Sequence, residues 1–314
     1  MENYSTDAVE IYPPATIANL VCGFDVLGMA LDDPADHMIL RRTAEPGVRI
    51  IHRDNYNLPE QPEKNVAGVA LLALLEQASE QCGWLLEIDK RIKPGSGLGS
   101  SAASAAGAVV AANYLLGNRF SNDDLVRFAM VGEKLASGVK HADNIAPCIY
   151  GGITLIRSIF PLDIICLPAP ALQVVVVHPQ IEVKTSDSRQ ILRKEVLLKD
   201  AIRQWGNVAG LVAGIMQKNN ALIGRSLQDD IIEPVRSILI PCFDDVKAKS
   251  LEAGALGGGI SGSGPSIFML CETGDTAQRV AQIMGDIYSG KGIEFYTYIT
   301  TIKSTHMQPM PLRK

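Results

Sequence analysis

The chain has 314 residues, of which 47% are hydrophobic and 20% charged, with a formal net charge of -5. That balance excludes a disordered or coiled-coil chain, and the acidic surplus argues against the clustered Lys and Arg of a nucleic-acid footprint. The expected partners are therefore small molecules, with no nucleic acid and no membrane, and the length allows one large mixed domain or two moderate ones.

In chain order, apolar or alternating runs at 9–12, 37–41, 48–52 and 84–89 predict strands. Asn65 is placed to cap a helix running to about Gln81, a second helix follows Gly99, and a third starts at Ser121 with Asp124 in its first turn and Glu133 toward its far end. A strand follows at 153–157. The segment 160–170, with Pro161, Pro168 and Pro170, is the candidate domain junction. Beyond it the pattern predicts a strand at 172–177, helices to about Ala253, and then a strand at 267–271, a helix at 276–288 and a strand at 294–300. That order suits a split βαβ arrangement.

The N-terminal MENYSTDAVE begins acidic and lacks a basic-then-apolar leader, so cytoplasmic residence is expected. The six cysteines, Cys22, Cys82, Cys148, Cys166, Cys242 and Cys271, have no zinc-ligand spacing and read as reduced core thiols. No charge occurs between Lys93 and Arg119, but the stretch is mostly alanine, glycine and serine, which suits a tightly packed buried helix rather than a membrane span.

The run Pro94-Gly95-Ser96-Gly97-Leu98-Gly99-Ser100-Ser101-Ala102-Ala103-Ser104 lies between a predicted strand and a predicted helix. Glycines let successive backbone N–H groups converge, and the helix start adds partial positive charge, so this placement predicts an anion site rather than a plain helix-entry turn. A Walker A loop is excluded because no Lys follows the last glycine. Gly97, Gly99 and Ala102 satisfy GxGxxA, with Asp123 about twenty residues on, which keeps a NAD(P)-dependent oxidoreductase as an alternative.

PGSGLGSSAA resembles the phosphate-binding signature of the galactokinase, homoserine kinase, mevalonate kinase and phosphomevalonate kinase (GHMP) superfamily. The resemblance implies that 94–104 wraps the phosphates of ATP, and that Ser101 and Glu133 are Mg²⁺ ligands. Asn65 is expected near the nucleotide from its helix start. His141-Ala-Asp143-Asn144 resembles the hydroxyl-orienting segment of the homoserine kinases, which makes His141, Asp143 and Asn144 the catalytic candidates. By the same resemblance, the segment 14–28 supplies Asn19 and Asp25 as contacts for an amino acid's ammonium group. Arg189 and Arg236 then take its carboxylate, and Gly262 belongs to a third glycine motif, 257–265, expected as a loop that closes over the site.

The implied fold is α+β and two-lobed, with a ribosomal S5 domain 2-like ATP-binding lobe over 1–165 and a ferredoxin-like lobe over 166–314. A homodimer is implied too. The implied activity is transfer of the γ-phosphoryl group of ATP to the hydroxyl of L-homoserine. Another superfamily kinase acting on a different small alcohol and a non-catalytic ligand-binding relative remain as rivals. An Asn cannot usefully accept a proton, so the hydroxyl proton goes either to Asp143 or to a phosphate oxygen.

Overall fold

A computed structural model describes residues 4–80, 82–138, 140–183 and 185–313. The first part of the chain forms β1 (Tyr4–Ile11), β2 (Pro14–Ala18), β3 (Leu27–Ala35), β4 (His37–Thr43), β5 (Gly47–His52), α1 (Val66–Ala78), β6 (Gly83–Asp89), α2 (Ser100–Leu115), α3 (Asn122–Ser137), α4 (Ile145–Tyr150), β7 (Ile153–Ile159) and β8 (Leu162–Leu167). The second part forms β9 (Gln173–Pro179), α5 (Thr185–Gln190), α6 (Leu198–Met216), α7 (Asn220–Ser226), α8 (Glu233–Arg236), α9 (Phe243–Glu252), β10 (Gly257–Ile260), β11 (Ile267–Cys271), α10 (Gly274–Ser289), β12 (Phe295–Thr301) and β13 (Met310–Arg313).

Three sheets result, ordered β13-β1-β4-β6-β5, β2-β3-β7-β8 and β10-β11-β9-β12. Their neighbours pair antiparallel throughout, except that β5 runs parallel to β6. A doubly wound parallel sheet is therefore absent among the described residues, and the oxidoreductase alternative loses the scaffold its fingerprint needs. The register of the first sheet follows from alternation. Met38 and Leu40 of β4 face Ile88 and Leu86 of β6, and all four are fully buried.

Helix starts are set by local chemistry. The Asn65 side chain accepts from the backbone N–H groups of Ala67 (2.9 Å) and Gly68 (3.3 Å) to cap α1, and Ser121 with Asp124 forms a reciprocal capping box on α3. The helix expected from Asn65 ends at Ala78, and its anticipated last residue, Gln81, lies outside the described residues. The uncharged stretch becomes α2, buried along nearly its whole length. Its small residues allow close approach: a Cβ on Gly107 would sit 2.6 Å from the Met38 sulfur. Among the described residues no helix is long and apolar enough to cross a membrane.

Several elements differ from the sequence expectation. β2 has all five residues buried and so shows no alternation, while β3 ends in Asp-Asp-Pro-Ala, residues that read as a turn. The proline-rich segment 160–170 contains β8, which pairs with β7. The glycine motif at 257–265 is a loop only after Ile260, because Gly257–Ile260 pairs with β11 as β10. Glycines there admit the neighbouring chain, since a Cβ on Gly258 would collide with the Phe268 carbonyl. Cys22, Cys148 and Cys271 are buried free thiols, but Cys166 is exposed.

The two parts of the chain meet across β9. Val174 and Val176 point into the larger core, whereas Val175 and Val177 point into a second core with Tyr288 and Met269. The chain end then crosses back. Ile302 bridges to Leu31, and β13 extends the first sheet beside β1.

Candidate active site

Where the parts meet, a cleft of about 340 Å³ opens between the N-terminus of α2, the end of α3, the start of α4, and α5 with α8. The glycine run forms one wall. Gly95, Gly97 and Gly99 all have left-handed φ, at 76°, 81° and 68°, which a side chain tolerates poorly. The space is equally restrictive: a Cβ on Gly97 would lie 2.6 Å from the carbonyls of Gly264 and Ser261. Ser261 donates to the Gly97 carbonyl (2.7 Å), and the Ser266 N–H to that of Ser96 (3.2 Å), so the third glycine motif braces the first. Ser100 donates to the Ile92 carbonyl at 2.7 Å and closes the loop on itself.

Beneath the loop lies a residue that no local pattern singled out. Lys90, buried at the end of β6, pairs with Asp36 and donates to the Ser100 carbonyl (2.7 Å) and the Ser104 hydroxyl (2.9 Å). Asp36 also accepts from the N–H groups of Arg91 and Ile92, both at 2.9 Å. A fully desolvated charge is tolerated only with such partners. The ion pair thus anchors the start of α2, and Lys90 lines the cleft floor.

Ser101 and Glu133 come together across 32 residues, with the Ser101 hydroxyl donating to the Glu133 carboxylate at 2.8 Å. The preceding Gly132 makes this possible, since any side chain there would strike the Val66 carbonyl at the start of α1. Burial pushes the Glu133 carboxyl up to about 7, against the opposing hydrogen bond from Ser101. Hydroxyl and carboxylate oxygens are hard donors, so this pair suits Mg²⁺. Among the described residues no group of three or more His, Cys, Asp or Glu could hold a metal alone, so such an ion would draw its remaining ligands from nucleotide and water.

His141, Asp143 and Asn144 line the same cleft. Asp143 is buried, and burial, with the charges of Asp25 and Glu133, pushes its carboxyl up to about 7. Asn144 accepts a hydrogen bond from the Thr16 hydroxyl at 2.8 Å. Burial lowers the His141 pKa, and its Nδ1 lies 3.4 Å from an Arg189 nitrogen and 3.6 Å from an Asp25 carboxylate oxygen.

The opposite end of the cleft is ionic. Asp25, held at φ 61° with its N–H bound to Asn19 (3.1 Å), receives one Arg189 nitrogen on both carboxylate oxygens, at 2.8 and 3.1 Å. Asn19 and Arg236 both donate to the Gly262 carbonyl, at 2.9 and 3.0 Å, and Arg236 also donates to that of Ser188 at 3.1 Å. Burial and the neighbouring Arg189 lower the Arg236 pKa to about 10. Phe24 lies under both guanidiniums, with its ring centroid 5.4 Å from Arg189 and 4.9 Å from Arg236. Two buried nitrogens in this group, Arg189 Nε and His141 Nε2, have no partner among the described residues. Buried polar atoms without partners are costly, and here they point to a ligand that supplies them.

The structure therefore gathers Asn19, Asp25, Glu133, His141, Asp143, Asn144, Arg189, Arg236, Gly262 and the loop around one cavity. Asn65 stands apart: its oxygen caps α1 and its amide donates to the Pro59 carbonyl (2.7 Å), while Leu58 and Val66 line the cleft beside it. Thr16, Phe24 and Lys90 were not anticipated. Phe24 adjoins Asp25 in a segment already singled out, whereas Lys90 shows its significance only through Asp36, 54 residues away.

Comparison with known proteins places the chain in a family. The family model for the GHMP kinases N terminal domain matches residues 65–152, and that for the GHMP kinases C terminal matches 209–290. A homoserine kinase of Chloroherpeton thalassium is 46% identical over 290 residues, covering 88% of this chain and 91% of its own. That of Pyrococcus furiosus is 38% identical over 294 residues, covering 94% and 98%. The crystal structure of homoserine kinase from Cytophaga hutchinsonii superposes with a TM-score of 0.93 at 48% identity, covering 97% of this chain and 98% of that one. A mevalonate kinase at 15% identity shares the fold, with a TM-score of 0.71. With both lobes matched, and with relatives at this identity across most of its length, the chain belongs to the homoserine kinases of the GHMP kinase family.

Proposed function

We propose that this protein transfers the γ-phosphoryl group of ATP to the side-chain hydroxyl of L-homoserine, giving O-phospho-L-homoserine for threonine synthesis. The observation that carries this reading is the juxtaposition of a glycine-built anion cradle with a half-buried cluster of opposite charges, Asp25 with Arg189 and Arg236. Asp25 and Arg189 are already an ion pair, so a free amino acid can enter by exchange, its ammonium group taking Asp25 and its carboxylate taking the guanidiniums of Arg189 and Arg236. The partnerless Arg189 Nε and His141 Nε2 gain a partner in the same step.

The backbone amides of 94–104 and the start of α2 would hold the triphosphate, and Ser101 with Glu133 would hold Mg²⁺, which supplies charge neutralisation on the phosphate oxygens. Asn144 orients the acceptor hydroxyl. Asp143, with its pKa near neutrality, is matched to accept the hydroxyl proton, and then kcat should rise through pH about 7 and lose that rise in Asp143→Asn. A flat profile in both proteins would assign the proton to a phosphate oxygen.

Catalysis in this scheme rests on positioning and electrostatics rather than on covalent chemistry. Residues 1–165 act as the nucleotide lobe and 166–314 as the lobe bringing the arginines; the sheet changes a little later, between β8 and β9 at 168–172, and β13 returns to the first sheet. Cytoplasmic residence and a homodimer complete the proposal, the latter tested by sedimentation. The deciding experiment is an ADP-release assay with Mg-ATP and homoserine, mevalonate, shikimate or galactose in turn. Homoserine alone should give turnover, and turnover with another alcohol in its place would overturn the reading.

A further inference from the structure

We propose that Thr16 is a positioning residue for phosphoryl transfer, fixing the Asn144 carboxamide by its oxygen so that the amide nitrogen is what this side chain offers the reacting hydroxyl; the proposal rests on the functional reading above. Thr16 sits at the centre of β2 and is fully buried. Its hydroxyl donates to Asn144 Oδ1 at 2.8 Å, while its backbone N–H donates to the Leu98 carbonyl at 3.1 Å. One residue is thus tied by its main chain to the phosphate loop and by its side chain to the hydroxyl-orienting residue.

The contact is enforced by shape as well. A Cβ on Gly99 would collide with the Thr16 hydroxyl and lie 3.0 Å from Asn144 Oδ1, so the glycine that begins α2 is also the one that leaves room for this bridge. A carboxamide is planar, with acceptor and donor at fixed positions on one carbon. With the oxygen turned toward Thr16, the side chain presents its N–H side to the cleft that Asn144 lines.

That assignment has chemical content. A donor to the acceptor oxygen of homoserine leaves another lone pair free to attack the γ-phosphorus, while the bridging oxygen departs on ADP with its bonding electrons. The hydroxyl proton goes to the Asp143 carboxylate or to a phosphoryl oxygen, and never to Asn144. Because the backbone N–H of the same threonine holds the Leu98 carbonyl, the hydroxyl and the triphosphate are brought into register by a single residue, which is where small displacements are costly in rate.

The test uses the full-length protein with Mg-ATP and homoserine, comparing Thr16→Val, Thr16→Ser, Asn144→Ala and the Thr16→Val/Asn144→Ala double variant. Valine keeps the backbone bond to Leu98 and the shape but removes the hydroxyl. We expect kcat to fall roughly 10- to 100-fold in Thr16→Val with both KM values within about threefold of the parent, since a displaced orienting group acts on the chemical step. Thr16→Ser should stay within about threefold, and the double variant should be no slower than Asn144→Ala, as expected when two residues act as one unit. The proposal is overturned if Thr16→Val keeps the parental kcat, if its ATP KM rises in step with the loss, or if the losses multiply in the double variant. Failure of the parent protein itself to turn over homoserine would instead overturn the functional reading, and this proposal with it.

Discussion

Replacing Glu133 by Gln should make the ligand-free protein more stable while disabling it as a kinase. Burial raises the Glu133 carboxyl from 4.5 to about 7. At about 1.4 kcal/mol per pKa unit, that displacement corresponds to about 3 kcal/mol. The sign follows from which state holds the proton. Below the unfolded value both states are protonated and the group is neutral to stability. As pH rises from 4.5 toward 7 the unfolded chain ionises while the buried site does not, so stability falls, and above about 7 the whole cost is present. Glutamine has the same shape, can still accept from Ser101, and never ionises. For a protein of this size, about 3 kcal/mol corresponds to a Tm difference of about 5 °C. Thermal unfolding without nucleotide or divalent cation should therefore show a gap between Glu133→Gln and the parent that opens between pH 5 and 7.5, in favour of the variant. Adding Mg-ATP should reverse the order by stabilising the parent more, with kcat in the variant reduced at least 100-fold. A gap that is independent of pH would refute the electrostatic argument, and an equal response to Mg-ATP would refute the metal role.

Three further perturbations test the other parts of the site. Lys90→Met leaves Asp36 buried without its partner and should cost about 3–5 kcal/mol in chemical denaturation, whereas an unchanged midpoint would show that the pair does not anchor the loop. Gly97→Ala forces a side chain onto a φ of 81° and against two carbonyls 2.6 Å away, for about 2–4 kcal/mol of strain, and should raise the ATP KM at least tenfold; wild-type ATP kinetics would contradict the tight bracing of the loop. Arg236→Ala removes a charged donor for the substrate carboxylate and should raise the homoserine KM about 10- to 100-fold while the ATP KM stays put. A selective rise in the ATP KM would place Arg236 with the nucleotide instead.

The dependence of these predictions on particular residues shows what each level of description contributed. Local sequence was enough wherever a conformation is set by residues a few positions apart. Asn65 and Ser121 cap helices as their hydrogen-bonding chemistry dictates, and Gly95, Gly97 and Gly99 take the left-handed φ that their lack of Cβ permits. Alternation located β4 and β6, but it was silent for β2, buried on both faces, and for β10, built from glycines. Their strand character comes from partners elsewhere in the chain.

The glycine run by itself thus determined an anion cradle at a helix start, because the cradle and its helix are contiguous and each carries its own backbone instructions, while the ATP-using two-lobed kinase was implied by its resemblance to the GHMP kinase signature. Tertiary structure alone decided how the separate charges are paired. Arg189 meets Asp25 across 164 residues, Thr16 meets Asn144 across 128, and Lys90 meets Asp36 across 54. Ionic and hydrogen-bonding partners in a buried cleft are selected by burial and distance after the lobes close, and neither quantity is written in the spacing of residues along the chain.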